Sequence, residues 1–164
     1  MAAAACPLRK NMPSTSGNDF IVRRAEISDL DSVKTLVDEY RQELGFVLRP
    51  ALAEQINKGE MLVAVQRGDL LGFVDYHRRR DRQLTLYHIA VHPKSLRQGI
   101  GRALLDALVT TANKTDCEKI YLKCPTELSA NEFYRLYGFR LDETLNGRKR
   151  PLNVWILPLN SHDM

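Results

Sequence analysis

Residues 88–108 read HIAVHPKSLRQGIGRALLDAL, and the order of residue types in that stretch decides the fold. An apolar strand ends at Pro93. A polar, cationic loop follows, and Gly99 and Gly101 stand two apart where a helical repeat begins. Ile100, Ala103, Leu104, Ala107, Leu108 and Thr111 recur at the spacing of an amphipathic helix, which is expected from about Gly99 to Asn113. Glycine disfavours a helix, so its presence there asks for a reason. The first four N–H groups of a helix have no partner within it, and the helix dipole makes that end positive, which suits phosphate. Glycine keeps side chains off this backbone. The amides of Arg97, Gln98, Gly99, Ile100, Gly101 and Arg102 can then converge on a pyrophosphate, with the two arginines adding charge. A strand-to-helix turn with no ligand accounts for the glycine pair equally well. Other phosphate loops fit less well. No Lys-Ser/Thr follows the second glycine, as a P-loop needs. Leu104 stands where a third glycine would mark a dinucleotide site.

Outward from this stretch, the chain alternates strand and helix signals without a repeat or a low-complexity tract. Phe20 to Glu26 reads as a strand. Ser28 is the expected N-cap of a helix carrying Leu30, Val33, Leu36, Val37, Tyr40 and Leu44 at helical spacing. A short helix is expected from Ala51 to Asn57, after Pro50. Two strands follow, with a tight turn expected at Gly68-Asp69. Arg78 to Arg82 is a polar turn, and Leu84 to Val91 another strand. Alternation there puts Leu84, Leu86, His88 and Ala90 on one face, unless a bulge exchanges the faces. KIYLKC is the next strand. Ala130, Phe133, Tyr134 and Tyr137 mark a short helix that stops at Gly138, and two closing strands complete the chain. The economical reading is a flexible tail over 1–18 and a single α+β domain over 19–160. Its mixed, mostly antiparallel central sheet has about seven strands, flanked by about four helices.

Composition supports an ordinary globular chain of 164 residues, with 44% apolar and 27% charged residues. No apolar run approaches the roughly 20 residues that span a bilayer. The formal charge of +4 weakly favours acidic partners. Cys6, Cys117 and Cys124 are odd in number and without CxxC spacing, and the histidines form no ligand pattern with them, so no metal and a reducing, cytoplasmic setting are expected. The residues before Asp19 lack the basic and apolar segments of a secretory signal.

The order strand, V-x-P, loop, x-x-G-x-G and long helix resembles the acetyl-CoA-binding motif of the GNAT superfamily of N-acetyltransferases. SANEFYRLYGF, residues 129–139, is similar to that family's A-x-x-F-Y-x-x-x-G-F. The resemblance covers residues 20–158 nearly end to end. It implies a GNAT fold and transfer of acetyl from acetyl-CoA, as co-substrate, to a primary amine by direct attack. It also implies cofactor contacts at Ile89, Ala90 and Val91, where a backbone N–H would stabilise the developing oxyanion, at Arg97 to Arg102, and at Asn131. Tyr134 matches the family's general acid. A phenol, with a pKa of about 10, can protonate a departing thiolate. On the residues alone, Tyr134 belongs to an apolar helical stripe. The family's glutamate is absent from both LTLYHIAV and KIYLKC, and Leu96 replaces its usual Arg or Gln. His88 is the most apt base by chemistry, although a structural histidine is the commoner occupant of a strand. Tyr87, His77, Asp75, Glu127 or ordered water are the alternatives. Cys124 reads as packing.

The acceptor is expected to be a small-molecule or peptide amine, in a groove built from Leu44 to Asn57 and Glu143 to Pro151. The protein is expected to act as a monomer or homodimer away from membranes. Two rival readings stand beside this one. The first is a non-catalytic acyl-CoA-binding module of the same fold. The second is an RNA-associated, tRNA-directed acetyltransferase using Arg78 to Arg82 and Arg148 to Arg150, the minority reading because no aromatic residues interleave those clusters.

Overall fold

The structure, a computed structural model, describes residues 19–159 together with the backbone strand Ala4–Ala5. The expected tail over 1–18 otherwise lies outside the described residues. In chain order the strands are β1 (Ala4–Ala5), β2 (Ile21–Arg24), β3 (Met61–Gln66), β4 (Asp69–Arg78), β5 (Gln83–Val91), β6 (Lys119–Pro125), β7 (Arg140–Asn146) and β8 (Pro151–Pro158). The helices are α1 (Leu30–Glu39), α2 (Arg41–Leu44), α3 (Arg49–Asn57), α4 (Ile100–Lys114) and α5 (Ala130–Tyr137). The short α2 makes five where the sequence suggests four. No helix among the described residues is long and apolar enough to cross a membrane.

The sheet runs β2-β3-β4-β5-β6-β8-β7, with β1 beside β5 off this path, and is antiparallel except at β5–β6 and β1–β5. Its two faces carry separate cores. Leu84, Leu86, Ile89 and Val91 of β5 meet Leu104, Leu105 and Leu108 of α4 and Tyr134 of α5 on one face. Phe73 and Ala90 meet Val33, Leu36 and Val37 of α1 and Leu52 of α3 on the other. α4 lies close on β4 because residue 72 is glycine. A Cβ there would stand 2.7 Å from the Ala90 carbonyl oxygen and 3.3 Å from Ile100 and Leu104 side-chain carbons.

Two local expectations are corrected. The first helix is not capped by Ser28. The chain makes a single 3-10 turn at Ile27–Asp29, and Asp29 takes the reciprocal role, accepting from the Glu26 N–H at 2.7 Å. The β3–β4 turn falls at Arg67-Gly68, not Gly68-Asp69, because Gln66 pairs with Asp69. Both turn residues have positive φ, 52° and 83°, which matches the twist of a two-residue hairpin.

The feature that positions the site is a divergence. β5 and β6 pair only from Gln83 to Thr85 on β5 and from Lys119 to Tyr121 on β6. Beyond that point β6 continues along β8. The edge of β5 from Leu86 to Val91 therefore leaves β6. Part of it is met by β1, which pairs in parallel at Ile89 and Ala90 and lies against α2 and α5.

Candidate active site

The strand-to-helix loop begins where β5 ends. Pro93–Ser95 form one 3-10 turn, with His92 accepting from the Lys94 N–H at its start. Arg97 and Gly99 then both adopt positive φ, 66° and 79°. A Cβ on Gly99 would meet nothing within 4 Å. Glycine is favoured at 99 by backbone conformation, not by crowding from the protein. Helical bonding starts with Ala103 N–H donating to the Gly99 carbonyl. The N–H groups of Ile100, Gly101 and Arg102 thus belong to the unpaired first turn. Left-handed residues in front of a helix start create a concave cluster of amides suited to anions. Ile89, Ala90 and Val91 lead into this loop along the diverging edge of β5.

A bulge sets the other half of the site. Asp75 on β4 pairs with His88, but the next residue, Tyr76, pairs with Leu86, leaving Tyr87 as the extra residue. The extra residue reverses the face of everything after it. Leu84 and Leu86 therefore share a face with Ile89 and Val91, whereas His88 shares one with Ala90 on the α1–α3 side. Simple alternation grouped Leu84, Leu86, His88 and Ala90 together, and the bulge overturns that grouping. The same register lays His88 beside Asp75, with Nδ1 2.9 Å from Oδ1. Asp75 is only 2% exposed. A carboxylate only accepts, so Nδ1 carries the hydrogen and Nε2 is the basic nitrogen. Sequence reading named Asp75 separately from His88. The available signal was an acid inside an otherwise apolar strand, GFVDYH.

His88 forms part of the wall of a pocket of about 850 Å³. The α2–α3 connection supplies one side, including Leu44, Phe46 and Leu48, and the β7–β8 turn supplies Arg148, Lys149 and Arg150. Tyr134 lies across the sheet from His88. It is fully buried, and its ring packs 5.6 Å from that of Phe133 and 5.5 Å from that of Phe139. The two residues thus flank the divergence of β5 and β6 from opposite faces.

Asn131 is engaged with its own neighbourhood. Its Nδ2 donates to the carbonyls of Pro125 and Leu128, both at 2.8 Å, while Oδ1 accepts from Trp155 Nε1 at 2.8 Å and Asn153 Nδ2 at 3.1 Å. This ties the loop before α5 to β8. Cys124 is buried, and burial pushes its thiol up to about 12, so it is a packing group and not a thiolate nucleophile. His77 pairs with Glu60 and Glu127 with Arg150. Tyr87 lines a smaller hollow with Tyr121 and Lys123. In the 78–82 cluster, Arg79 faces Asp81, and Arg82 faces Asp116 and Glu118. Arg78 instead donates to the Thr115 carbonyl. Among the described residues, no group of three or more His, Cys, Asp and Glu is placed to hold a metal ion.

The model of the acetyltransferase (GNAT) family matches residues 30–139, more than half of the chain. The UPF0157 protein YqkA of Bacillus subtilis (strain 168) is 32% identical over 108 residues, a match covering 62% of this chain and 31% of that protein. The chain thus spans about a third of that relative's length. Among solved structures, Ard1 from Thermoplasma volcanium superposes with a TM-score of 0.79 at 18% identity, over 87% of this chain and 99% of that one. YncA from Salmonella typhimurium, solved with its cofactor acetyl-CoA, gives 0.75 at 17% identity, over 90% and 98%. At these identities the likeness is one of fold.

Proposed function

The chain belongs to the GNAT family of acetyltransferases, and on that premise we propose that it carries acetyl from acetyl-CoA to a primary amine by direct attack, with no covalent enzyme intermediate. The family's activity makes it an acyltransferase with acetyl-CoA as co-substrate. One observation carries the finer reading: the diverging edge of β5 leads, through the Pro93–Ser95 turn, to the left-handed residues Arg97 and Gly99 and the first amides of α4. An extended chain with a phosphate at one end fits that sequence of groups. The β5 edge offers backbone hydrogen bonds, as its pairing with Ala4–Ala5 illustrates, and the loop offers an anion cradle.

The thioester supplies an activated acetyl group when bound. The chain's own residues do the rest. Amides from Arg97 to Arg102 hold the pyrophosphate, and backbone at Ile89 to Val91 aligns the extended arm. His88 Nε2 takes the proton from the attacking amine, and Asp75 fixes the imidazole by accepting from Nδ1. Tyr134 gives a proton to the departing sulfur. Asn131 acts on this site indirectly, by holding the loop that carries α5. In this reading residues 19–160 act as one domain, as a monomer or homodimer in the cytoplasm.

Calorimetry with acetyl-CoA tests the reading on the wild type and on Gly99→Glu with Gly101→Glu, with melting curves as the folding control. Binding by the wild type and none by a folded variant is the expected result. A folded wild type that does not bind acetyl-CoA overturns the proposal.

A further inference from the structure

The pocket beside His88 has a definite electrostatic sign. Arg148, Lys149 and Arg150 all line it, and no Asp or Glu lines it among the described residues. Arg150 is matched by Glu127, 2.8 Å away. Arg148 and Lys149 have no ion-pair partner among the described residues. The opposite wall is apolar. Phe46 is 67% exposed, an unusual state for a large apolar side chain. Lys34 Nζ and Arg41 Cζ each stand 5.3 Å from its ring centroid, but both face Asp38, at 2.8 and 3.9 Å, so the unmatched charge of the rim is that of Arg148 and Lys149. Together these groups present a nonpolar surface, a basic nitrogen at His88 and a cationic rim.

Resting on the acetyltransferase reading, we propose that this pocket selects a small primary amine carrying an anionic group, carboxylate or phosphate, on an apolar body. The anion sits against Arg148 and Lys149, the apolar body against Phe46 and Leu48, and the amine beside His88. The reaction balances without a further reactant. The amine nitrogen forms a bond to the acetyl carbon, the carbon–sulfur bond breaks with its electron pair on sulfur, His88 takes the amine proton and Tyr134 protonates the departing thiolate. A di- or polyamine would place its second ammonium against the same rim and be repelled. Nucleic acid would use the arginines but leave the apolar wall without a match.

A matched series isolates the charge: hexylamine, 6-aminohexanoate, 6-aminohexyl phosphate and 1,6-diaminohexane. Turnover is read as thiol release from acetyl-CoA, and binding of each amine by calorimetry with and without CoA. The two anionic amines are expected to exceed hexylamine by about tenfold in kcat/KM and in affinity, with the diamine poorest. Their ranking distinguishes carboxylate from phosphate as the source. In Arg148→Ala with Lys149→Ala, both at exposed positions on a turn, the ratio of anionic to neutral amine falls toward one through KM. Equal or better binding of the diamine overturns the proposal, as does a preference that survives the double substitution. Tighter binding of a 20-nucleotide RNA that displaces 6-aminohexyl phosphate also overturns it. Binding of the amines is measured without cofactor as well, so failure of acetyl-CoA to bind is a separate result that removes only the acetyltransferase reading.

Discussion

In the proposed mechanism the proton transfer turns on a single pair. His88 was visible in the sequence as a residue of the right type, but its partner was not, because Asp75 lies thirteen positions earlier on another strand. Only the β4–β5 register joins them, and a one-residue bulge decides which face they share. If His88 is the base, His88→Ala lowers kcat by about 10²–10⁴-fold while acetyl-CoA affinity, read by calorimetry, stays near that of the wild type. Asp75→Asn lowers kcat less, since it leaves the base in place and removes only what orients it. A drop in acetyl-CoA affinity matching the drop in kcat would assign both residues to structure. Asn131 carries the opposite lesson. The family resemblance implies a cofactor contact there, and the side chain also bonds Pro125 and Leu128 within its loop and Asn153 and Trp155 on β8. Bonds to residues more than twenty positions away leave no local mark in a sequence.

At the scale of elements, periodic signals were legible and ends were not. The stripes of α4 and α5 and the strand β6 stand within a residue or two of their expected bounds, because apolar spacing there reports burial directly. α1 starts at Leu30, after the 3-10 turn Ile27–Asp29 that takes up Ser28. Arg23 donates to both carboxylate oxygens of Asp29, at 2.8 and 3.0 Å, and the same carboxylate closes the 3-10 turn before α1 by accepting from the Glu26 N–H. That guanidinium holds the Asp29 carboxyl below the usual carboxylate range, helped by the Glu26 N–H. Asp29 is therefore easier to ionise in the folded chain than in the unfolded one. Its contribution to stability is present above the unfolded value of about 3.9 and is lost as pH falls through the lowered folded value. Asp29→Asn is expected to lower the melting temperature at pH 7 and to flatten its decline below about pH 4. A variant whose acid arm parallels that of the wild type would show that the pair contributes nothing across this window.

At the scale of the whole molecule, the glycine-marked loop made the fold class readable, whereas the proposed acceptor pocket was legible only as two segments, Leu44 to Asn57 and Glu143 to Pro151, and not as a shape. It is assembled from the α2–α3 connection and the β7–β8 turn, segments without periodicity that the sheet order brings to one face. The same sheet order leaves the β5 edge to be met by Ala4 and Ala5. A backbone N–H or carbonyl at Ile89 and Ala90 serves one extended neighbour at a time, so, with acetyl-CoA placed there as proposed, Ala4–Ala5 and the ligand's extended arm are rivals for it. A rival on the same chain does not dilute; it stands at a fixed effective concentration however little protein is present. The measured dissociation constant for acetyl-CoA then equals the intrinsic one divided by the fraction of molecules whose edge is vacated. Removing residues 1–18 should tighten acetyl-CoA binding in calorimetry and shorten the time to saturation, whereas identical constants for the two proteins would mean that β1 yields at no cost. In the first case, affinity for the co-substrate is a ratio between two occupants, and anything that draws the N-terminus away acts as an activator.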